Sequence, residues 1–321
     1  MAKSNPLGSY TEALTVRDFA TLFGTTPEDI RRRCSQVSAH EFRYRRLTRD
    51  ERARLIRRVR GRINSGELTV AGGRDARARW EKGWAENLRE FSTKRYDEAK
   101  LVPKYIGKEQ PVRLYQDYVS PLDENFELRW SSIFREWLFS KYLRGVDSVY
   151  EFGCGSGINL VTIAKLFPNK KLFGLDWASS SQAIINKLSR VYGWKMKGLF
   201  FDLFSPDVEF AVTRNSAVLT FSALEQTGRS FEKFLRFLIR KNPSICIHVE
   251  PIYEWYDETN LVDQLAMMFH RRRRYLEGFI TRLNELESKG EIEILRAKRV
   301  YFGSLFTDGY SHVVWRPKNP K

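Results

Sequence analysis

The stretch that decides the fold is Val149–Asp176, VYEFGCGSGINLVTIAKLFPNKKLFGLD. The β-branched and aromatic run from Val146 to Phe152 enters a glycine-rich turn, Gly153-Cys154-Gly155-Ser156-Gly157. An apolar-periodic segment follows (Ile158, Leu160, Val161, Ile163, Ala164, Leu166) and stops at Phe167-Pro168-Asn169, which reads as strand, tight turn and helix. A second apolar run, Lys171 to Leu175, ends in Asp176, so the unit is βαβ with a mononucleotide-type site at the top of its first strand. Gly153, Gly155 and Gly157 let the backbone turn sharply and approach a ligand closely. Asp176 follows Gly157 by 19 positions, where a carboxylate beside the turn can accept both hydroxyls of a ribose.

The glycine order is not that of a dinucleotide reader, G-x-G-x-x-G; it is E-x-G-x-G-x-G, with Glu151 inside the end of the strand. An acid there suits a cationic ligand better than a pyrophosphate. The stretch resembles motif I of the class I S-adenosylmethionine-dependent methyltransferases, and the resemblance covers roughly residues 126–317. It implies a Rossmann-like α/β sheet of seven strands in the order 3-2-1-4-5-7-6, with Glu151 facing the methionine part of S-adenosylmethionine. It further implies that Trp177 packs on the adenine and that Asp202, at the end of the third strand, bonds the adenine amino group. Leu203 and Ser222 complete the implied cofactor set.

The remaining chain is consistent with that domain. A helix before the first strand carries Leu128, Ile133, Phe134, Trp137, Leu138 and Tyr142, and Asp123 or Asn125 can cap it. Ser179 to Ser189 reads as a helix, Leu199-Phe200-Phe201 as the third strand and Ala217 to Phe221 as the fourth. After the fourth comes Ser222-Ala223-Leu224-Glu225-Gln226-Thr227-Gly228, similar to small-molecule methyltransferases, many of which carry a histidine where Gln226 stands. Ser244 to Val249 is the fifth strand, leading to Glu250-Pro251; by alternation His248 and Glu250 point alike. Glu225, His248 and Glu250 are the candidate acid/base residues, with Glu254 and Asp257 on the following loop. Leu261 to Ser288 reads as one long helix carrying Arg271 to Arg274, either a solvated charge run or the holders of a phosphate or carboxylate on the substrate, and Glu291 to Phe302 and Tyr310 to Trp315 as the closing strands.

Residues 1–100 read as a basic helical extension, residues 101–125 as a linker or lid with three prolines and Tyr105, Tyr115 and Tyr118, and residues 126–321 as the methyltransferase domain. The chain of 321 residues carries a formal charge of +16. The first 100 residues hold 23 basic against 14 acidic side chains, +9 of that total. The excess keeps nucleic acid, anionic surfaces and phosphorylated substrates as candidate partners. Ala20, Gly24 and Ile30 fall at helix-turn-helix spacing, and Arg43 to Arg62 reads as a basic helix with a thin apolar stripe. Trp80, Trp84, Leu88 and Phe91 recur at helical spacing after a glycine-bearing turn, residues 64–73.

No apolar run approaches the roughly 18 residues of a membrane span, and the opening MAKSNPLGSYTEAL lacks the apolar core of a signal peptide. Cys34, Cys154 and Cys246 are scattered, which argues against a disulfide framework or a zinc site and for a reducing cytoplasm. No clustered ligand set points to a metal. The sequence after the fourth strand is not the Asn/Asp-Pro-Pro-aromatic motif of base N-methyltransferases, and no Pro-Cys nucleophile is present. The expected activity is methylation of a hydroxyl on a sugar, polysaccharide or other small molecule, itself anionic in one version; the HVEP and YEWYDE segments resemble bacterial methyltransferases of polysaccharide modification. The alternatives are methylation of RNA or another nucleic acid docked on the basic N-terminal region, and a DNA-binding sensor of the same cofactor.

Overall fold

The computed structural model describes residues 11–72, 74–107 and 111–318. The chain's opening segment, residues 1–10, lies outside them, as does part of the linker or lid, residues 108–110. In order the elements are β1 (Thr11–Leu14), α1 (Val16–Phe23), α2 (Pro27–Arg33), β2 (Phe42–Arg46), α3 (Arg49–Asn64), α4 (Arg74–Thr93), β3 (Val112–Leu114), β4 (Asp117–Pro121) and α5 (Phe126–Tyr142). Then follow β5 (Ser148–Phe152), α6 (Ile158–Leu166), β6 (Lys171–Asp176), α7 (Ser179–Tyr192), β7 (Met196–Phe200), β8 (Ser216–Phe221), α8 (Glu232–Lys241) and β9 (Ile245–Val249). The chain closes with α9 (Leu261–Arg273), α10 (Phe279–Ser288), β10 (Ile292–Lys298), β11 (Phe302–Gly303) and β12 (His312–Pro317).

All five residues of β5 are buried, as a central parallel strand covered on both faces requires. Its neighbours are β6 and β8, and the sheet runs β7-β6-β5-β8-β9-β12-β10, which is the order 3-2-1-4-5-7-6. The first five are parallel; β12 alone runs against them, and β10, antiparallel to β12, returns to their direction. One face of the sheet packs on α5, α6 and α7 through Trp137, Leu160 and Ile184. The other packs on α8 and α10 through Phe237 and Leu283. Side-chain alternation along β5 therefore sends Tyr150 and Phe152 to the α8 face and Glu151 to the α5 face.

The N-terminal region is helical over α1 to α4, yet it also supplies β1 and β2 to a second, antiparallel sheet, β1-β2-β4-β3-β11. Arg43 to Arg46 are strand residues rather than the start of a basic helix, because Thr48 caps α3 with a capping box to Glu51. Within residues 101–125 the prolines enclose a hairpin, β3–β4, whose two-residue turn Tyr115-Gln116 has φ of 50° and 61°. The closing segment divides between the sheets, β10 joining the large one and β11 pairing with β3. Leu14, Phe42, Leu114, Trp130 and Phe302 thus lie in one core, so the expected boundaries at residues 100 and 125 run through it. The α1–α2 pair packs on α5: Phe23 meets Trp130 and Phe134 edge-on, and Arg33 Nη1 donates to the Ser140 carbonyl at 2.7 Å.

The expected long helix from Leu261 to Ser288 is two helices. Arg274 takes a left-handed conformation, φ 54°, and its N–H closes on Arg271 O while Tyr275 N–H returns to His270 O. The loop made by that break carries Tyr275 to the site described next.

Candidate active site

Gly153 and Gly155 have φ of +74° and +50°, the left-handed region that glycine enters without steric cost. A Cβ on Gly153 would lie 2.3 Å from that of Ala223, and one on Gly155 would lie 2.7 Å from Trp84 Cζ2. The turn is therefore compressed between the chain after β8 and a tryptophan of α4. Asp176 closes against it: Gly155 N–H donates to Oδ2 and Ala178 N–H to Oδ1, each at 2.9 Å. Burial raises the Asp176 carboxyl to about 6, opposed by those two backbone donors. Glu151 accepts from Asn159 Nδ2 at 2.7 Å through Oε1, while its Oε2 is buried without a partner. Burial pushes Glu151 up to about 8. An orphaned carboxylate oxygen on the wall of a cavity is a place for a cationic donor.

That cavity has a volume of about 530 Å³, ample for a small ligand. It lies beyond the carboxyl ends of the parallel strands, where open α/β sheets bind their ligands. Of the residues expected from the sequence, Glu151, Gly153, Gly155, Asp176, Trp177, Leu203, Ser222 and Glu225 line it. Trp177 stacks on Phe204, with ring centroids 5.8 Å apart. Gly157 is outside the lining: it caps α6, and a Cβ there would meet Ile185 at 2.5 Å. Asp202 is outside it too, accepting from Phe204 N–H at 2.9 Å and so folding the turn that presents Leu203 and Phe204.

His248 and Glu250 do not reach the cavity, which corrects two of the three expected acid/base positions. His248 is on the α8 face of β9, stacked on Trp315 and edge-on to Phe279, with Nδ1 2.9 Å from Thr220 Oγ1. Burial lowers its pKa to about 3, so it is a neutral core histidine across the operating range of an enzyme. Glu250 is wholly buried and accepts from the N–H groups of Ala223, Leu224 and Glu225 at 3.3, 3.1 and 3.1 Å. It caps the turn after β8, whose first residue, Ser222, is left-handed at φ 52°. Glu250 thereby positions Glu225 and stays away from the reacting space.

Glu225 is buried and lines the cavity. Gln226 Nε2 donates to its Oε1 at 2.8 Å and lies 3.3 Å from Tyr275 Oη. Burial raises its pKa above the usual carboxylate range, while Arg273, Tyr275 and Gln226 pull the other way. Tyr105 stands edge-on to the stacked pair Trp80 and Trp84, and these three rings form a wall over the glycine turn.

Sequence reasoning missed Glu127 and Arg135 of α5. Both line the cavity, and burial raises Glu127 to about 7. Arg135 donates to Ser132 Oγ at 3.1 Å, its Nε is buried without a partner, and it forms no ion pair among the described residues. A signal was present: Glu127, Ser131 and Arg135 make a polar stripe at i, i+4 and i+8 on a helix otherwise rich in buried aromatics. Of the four arginines read from the sequence as possible holders of a substrate anion, Arg273 lines the cavity; Tyr275 and Phe306 were missed as site residues because the helix break and the β10–β12 crossover bring them in from far along the chain.

The sheet order and the glycine turn at the end of its central strand are those of the class I S-adenosylmethionine-dependent methyltransferase fold. No protein-family model matches the chain, and no curated protein matches it. Solved structures do match in shape. LaPhzM is 18% identical over 60% of this chain and 57% of its own, with a TM-score of 0.45. The [4+2]-cyclase SpnF is 13% identical over 75% of this chain and 96% of its own, with a TM-score of 0.49. RosA from Streptomyces davawensis, an N,N-8-amino-8-demethyl-D-riboflavin dimethyltransferase, is 13% identical over 95% of this chain and 90% of its own, with a TM-score of 0.43. This chain spans little more than half of LaPhzM, and at such identities likeness concerns fold, on which unrelated chemistries are built. Among the described residues no helix is long and apolar enough to cross a membrane, and no group of three or more His, Cys, Asp or Glu side chains is set to hold a metal ion.

Proposed function

We propose that this chain is an S-adenosylmethionine-dependent methyltransferase acting on a hydroxyl of a sugar, a polysaccharide or another small molecule. The observation that carries the reading is one cavity that joins Asp176 at the glycine turn, an unpartnered Glu151 oxygen and the buried carboxyl of Glu225. The donor set fits the cofactor. Asp176 would accept from the ribose hydroxyls, Glu151 Oε2 would take the ammonium, Arg135 the carboxylate, and Trp177, Leu203 and Phe204 the adenine. Bound S-adenosylmethionine would supply a methyl group already activated on a sulfonium.

The protein's own contribution is positioning and one proton transfer. Glu225 accepts the proton of the acceptor hydroxyl; its raised pKa brings it close to the working pH, where a base is most effective. Gln226 fixes the orientation of that carboxyl and Glu250 fixes its backbone. Trp80, Trp84 and Tyr105 wall the glycine-turn end with aromatic rings. The three free, buried cysteines support a reducing, cytoplasmic setting. The test is transfer of labelled methyl from S-adenosylmethionine to a panel of sugars and polysaccharide fragments: label on a hydroxyl oxygen upholds the reading, label on nitrogen or carbon overturns it.

A second reading, a nucleic-acid acceptor, is supported by the exposed arginines of α3, including Arg54, Arg57, Arg58 and Arg60. RNA that co-purifies with the chain and is released steeply by salt would favour it.

A further inference from the structure

Away from the glycine turn, the cavity wall is set by the packing of α3 on α9. Leu55, Ile56, Val59 and Ile63 pack with Val262, Leu265 and Phe269 and with Leu305, which fixes the C-terminal ends of both helices beside the cavity. Two guanidinium groups reach the wall there, Arg62 of α3 and Arg273 of α9. Arg62 lies over the Phe306 ring, 5.1 Å from its centroid, and forms no ion pair among the described residues. Arg273 is held by neutral oxygens: Nη1 donates to the Thr69 carbonyl and, at 3.2 Å, to Thr69 Oγ1, and Nη2 to Tyr275 Oη at 3.3 Å. Its Nε is buried and unpartnered. Phe269 and Phe306 stack face to face at 4.6 Å, forming an apolar surface next to both arginines.

Arg273, with its buried and unpartnered Nε, forfeits a hydrogen bond on this wall, and an oxyanion between it and the exposed Arg62 would restore that bond and pair with both charges. The planar fork of arginine suits a phosphate-type group, and the aromatic pair suits the flat or apolar body that bears it.

We propose that Arg62 and Arg273 form an anion site at the acceptor end of the cavity, for a phosphate-type group carried by the molecule whose hydroxyl meets Glu225. The proposal rests on the methyl-transfer reading and names its substrate class as phosphorylated acceptors. The phosphate has two sources, a small phosphorylated sugar or a phosphate-bearing polymer. Arg54 and Arg58 precede Arg62 at i−8 and i−4 on the same exposed stripe of α3, so a polymer would engage them and a small ester would not.

The test is calorimetry on the full chain with three probes: S-adenosylmethionine, inorganic pyrophosphate and the neutral disaccharide trehalose. Pyrophosphate is expected to bind and trehalose not to. Arg62→Ala, on an exposed helix face, weakens pyrophosphate about tenfold or more and S-adenosylmethionine by less than about twofold, as loss of one charge-assisted pair implies. Arg273→Lys, which keeps the charge and loses the fork, also weakens it, and Arg31→Ala on α2 leaves it unchanged. Long-chain polyphosphate that binds more tightly than pyrophosphate, and loses that advantage in Arg54→Ala and Arg58→Ala, assigns a polymer; equal affinities assign a small ester. Pyrophosphate bound alike by Arg62→Ala and the unaltered chain, or by neither, overturns the site. Pyrophosphate binding without S-adenosylmethionine binding upholds the anion site and overturns the methyl-transfer reading instead.

Discussion

At one end of the cavity, Glu151, Gly153, Gly155 and Asp176 come from a single βαβ unit, β5-α6-β6, whose turn is tied to its second strand by Gly155 N–H donating to Asp176. At the other, Glu225 follows β8, Arg273 and Tyr275 arrive from the break between α9 and α10, Phe306 from the β11–β12 connection and Arg62 from α3. The first end is a local motif whose geometry follows from spacing along the chain. The second is assembled by tertiary contacts, and its residue types are ordinary ones that acquire meaning only where the fold brings them together. Binding of a common cofactor can be written locally; choice of acceptor is distributed.

The contrast can be broken or sharpened by substitution, beginning with the largest expected effect. Glu225→Gln removes the base while keeping the partners' shape, and should lower kcat by about 10²- to 10⁴-fold with little change in S-adenosylmethionine affinity. Steady-state rates beside calorimetry check this, and a fall in affinity equal to the fall in rate would dissolve the division between the two ends. Asp176→Ala should weaken S-adenosylmethionine binding by about 1–3 kcal/mol, roughly 5- to 150-fold, through lost carboxylate hydrogen bonds. His248→Leu should leave turnover and cofactor affinity alone and cost about 1 kcal/mol of stability, a few degrees in Tm, by removing the buried hydrogen bond between Nδ1 and the Thr220 hydroxyl. A loss of activity at unchanged Tm would return His248 to the site.

The smallest effect concerns pH. Glu151 titrates at about 8 when folded, against its usual 4.5, so the buried neutral form is favoured. Its contribution to stability is complete below the unfolded pKa and is lost as pH rises toward 8. The Tm of the ligand-free protein should decline over that window, by about a few degrees, and Glu151→Gln should flatten the decline. A decline of unchanged slope in the variant would mean that Glu151 is already neutralised by a cation from the protein.

The large sheet was legible because β5, α6 and β6 announce themselves by period and glycine turn, and each later strand ends in a recognisable polar segment. The small sheet was not. β1, TEAL, is a four-residue edge strand, β11 has two residues, and the alternation of β2, FRYRR, lasts only from Phe42 to Arg45 inside an arginine-rich run; pairing along the sheet makes them strands. The break at Arg274 was hidden because four arginines give no turn signal, and the left-handed residue there is neither glycine nor asparagine. Strand alternation correctly put His248 inside the sheet but could not say which face held the cavity. That face was decided by Glu151 on β5, two strands away, which points to α5 while His248 points to Phe279 and Trp315.

The central claim is that the glycine turn and Asp176 bind S-adenosylmethionine, and calorimetric titration of the purified chain with that ligand and with its demethylated product, at low and raised salt, tests it most directly. The account predicts binding on the order of micromolar for both, nearly independent of salt because both ligand and site meet in a buried cavity. Absence of heat with either ligand, from protein of intact fold, would contradict it.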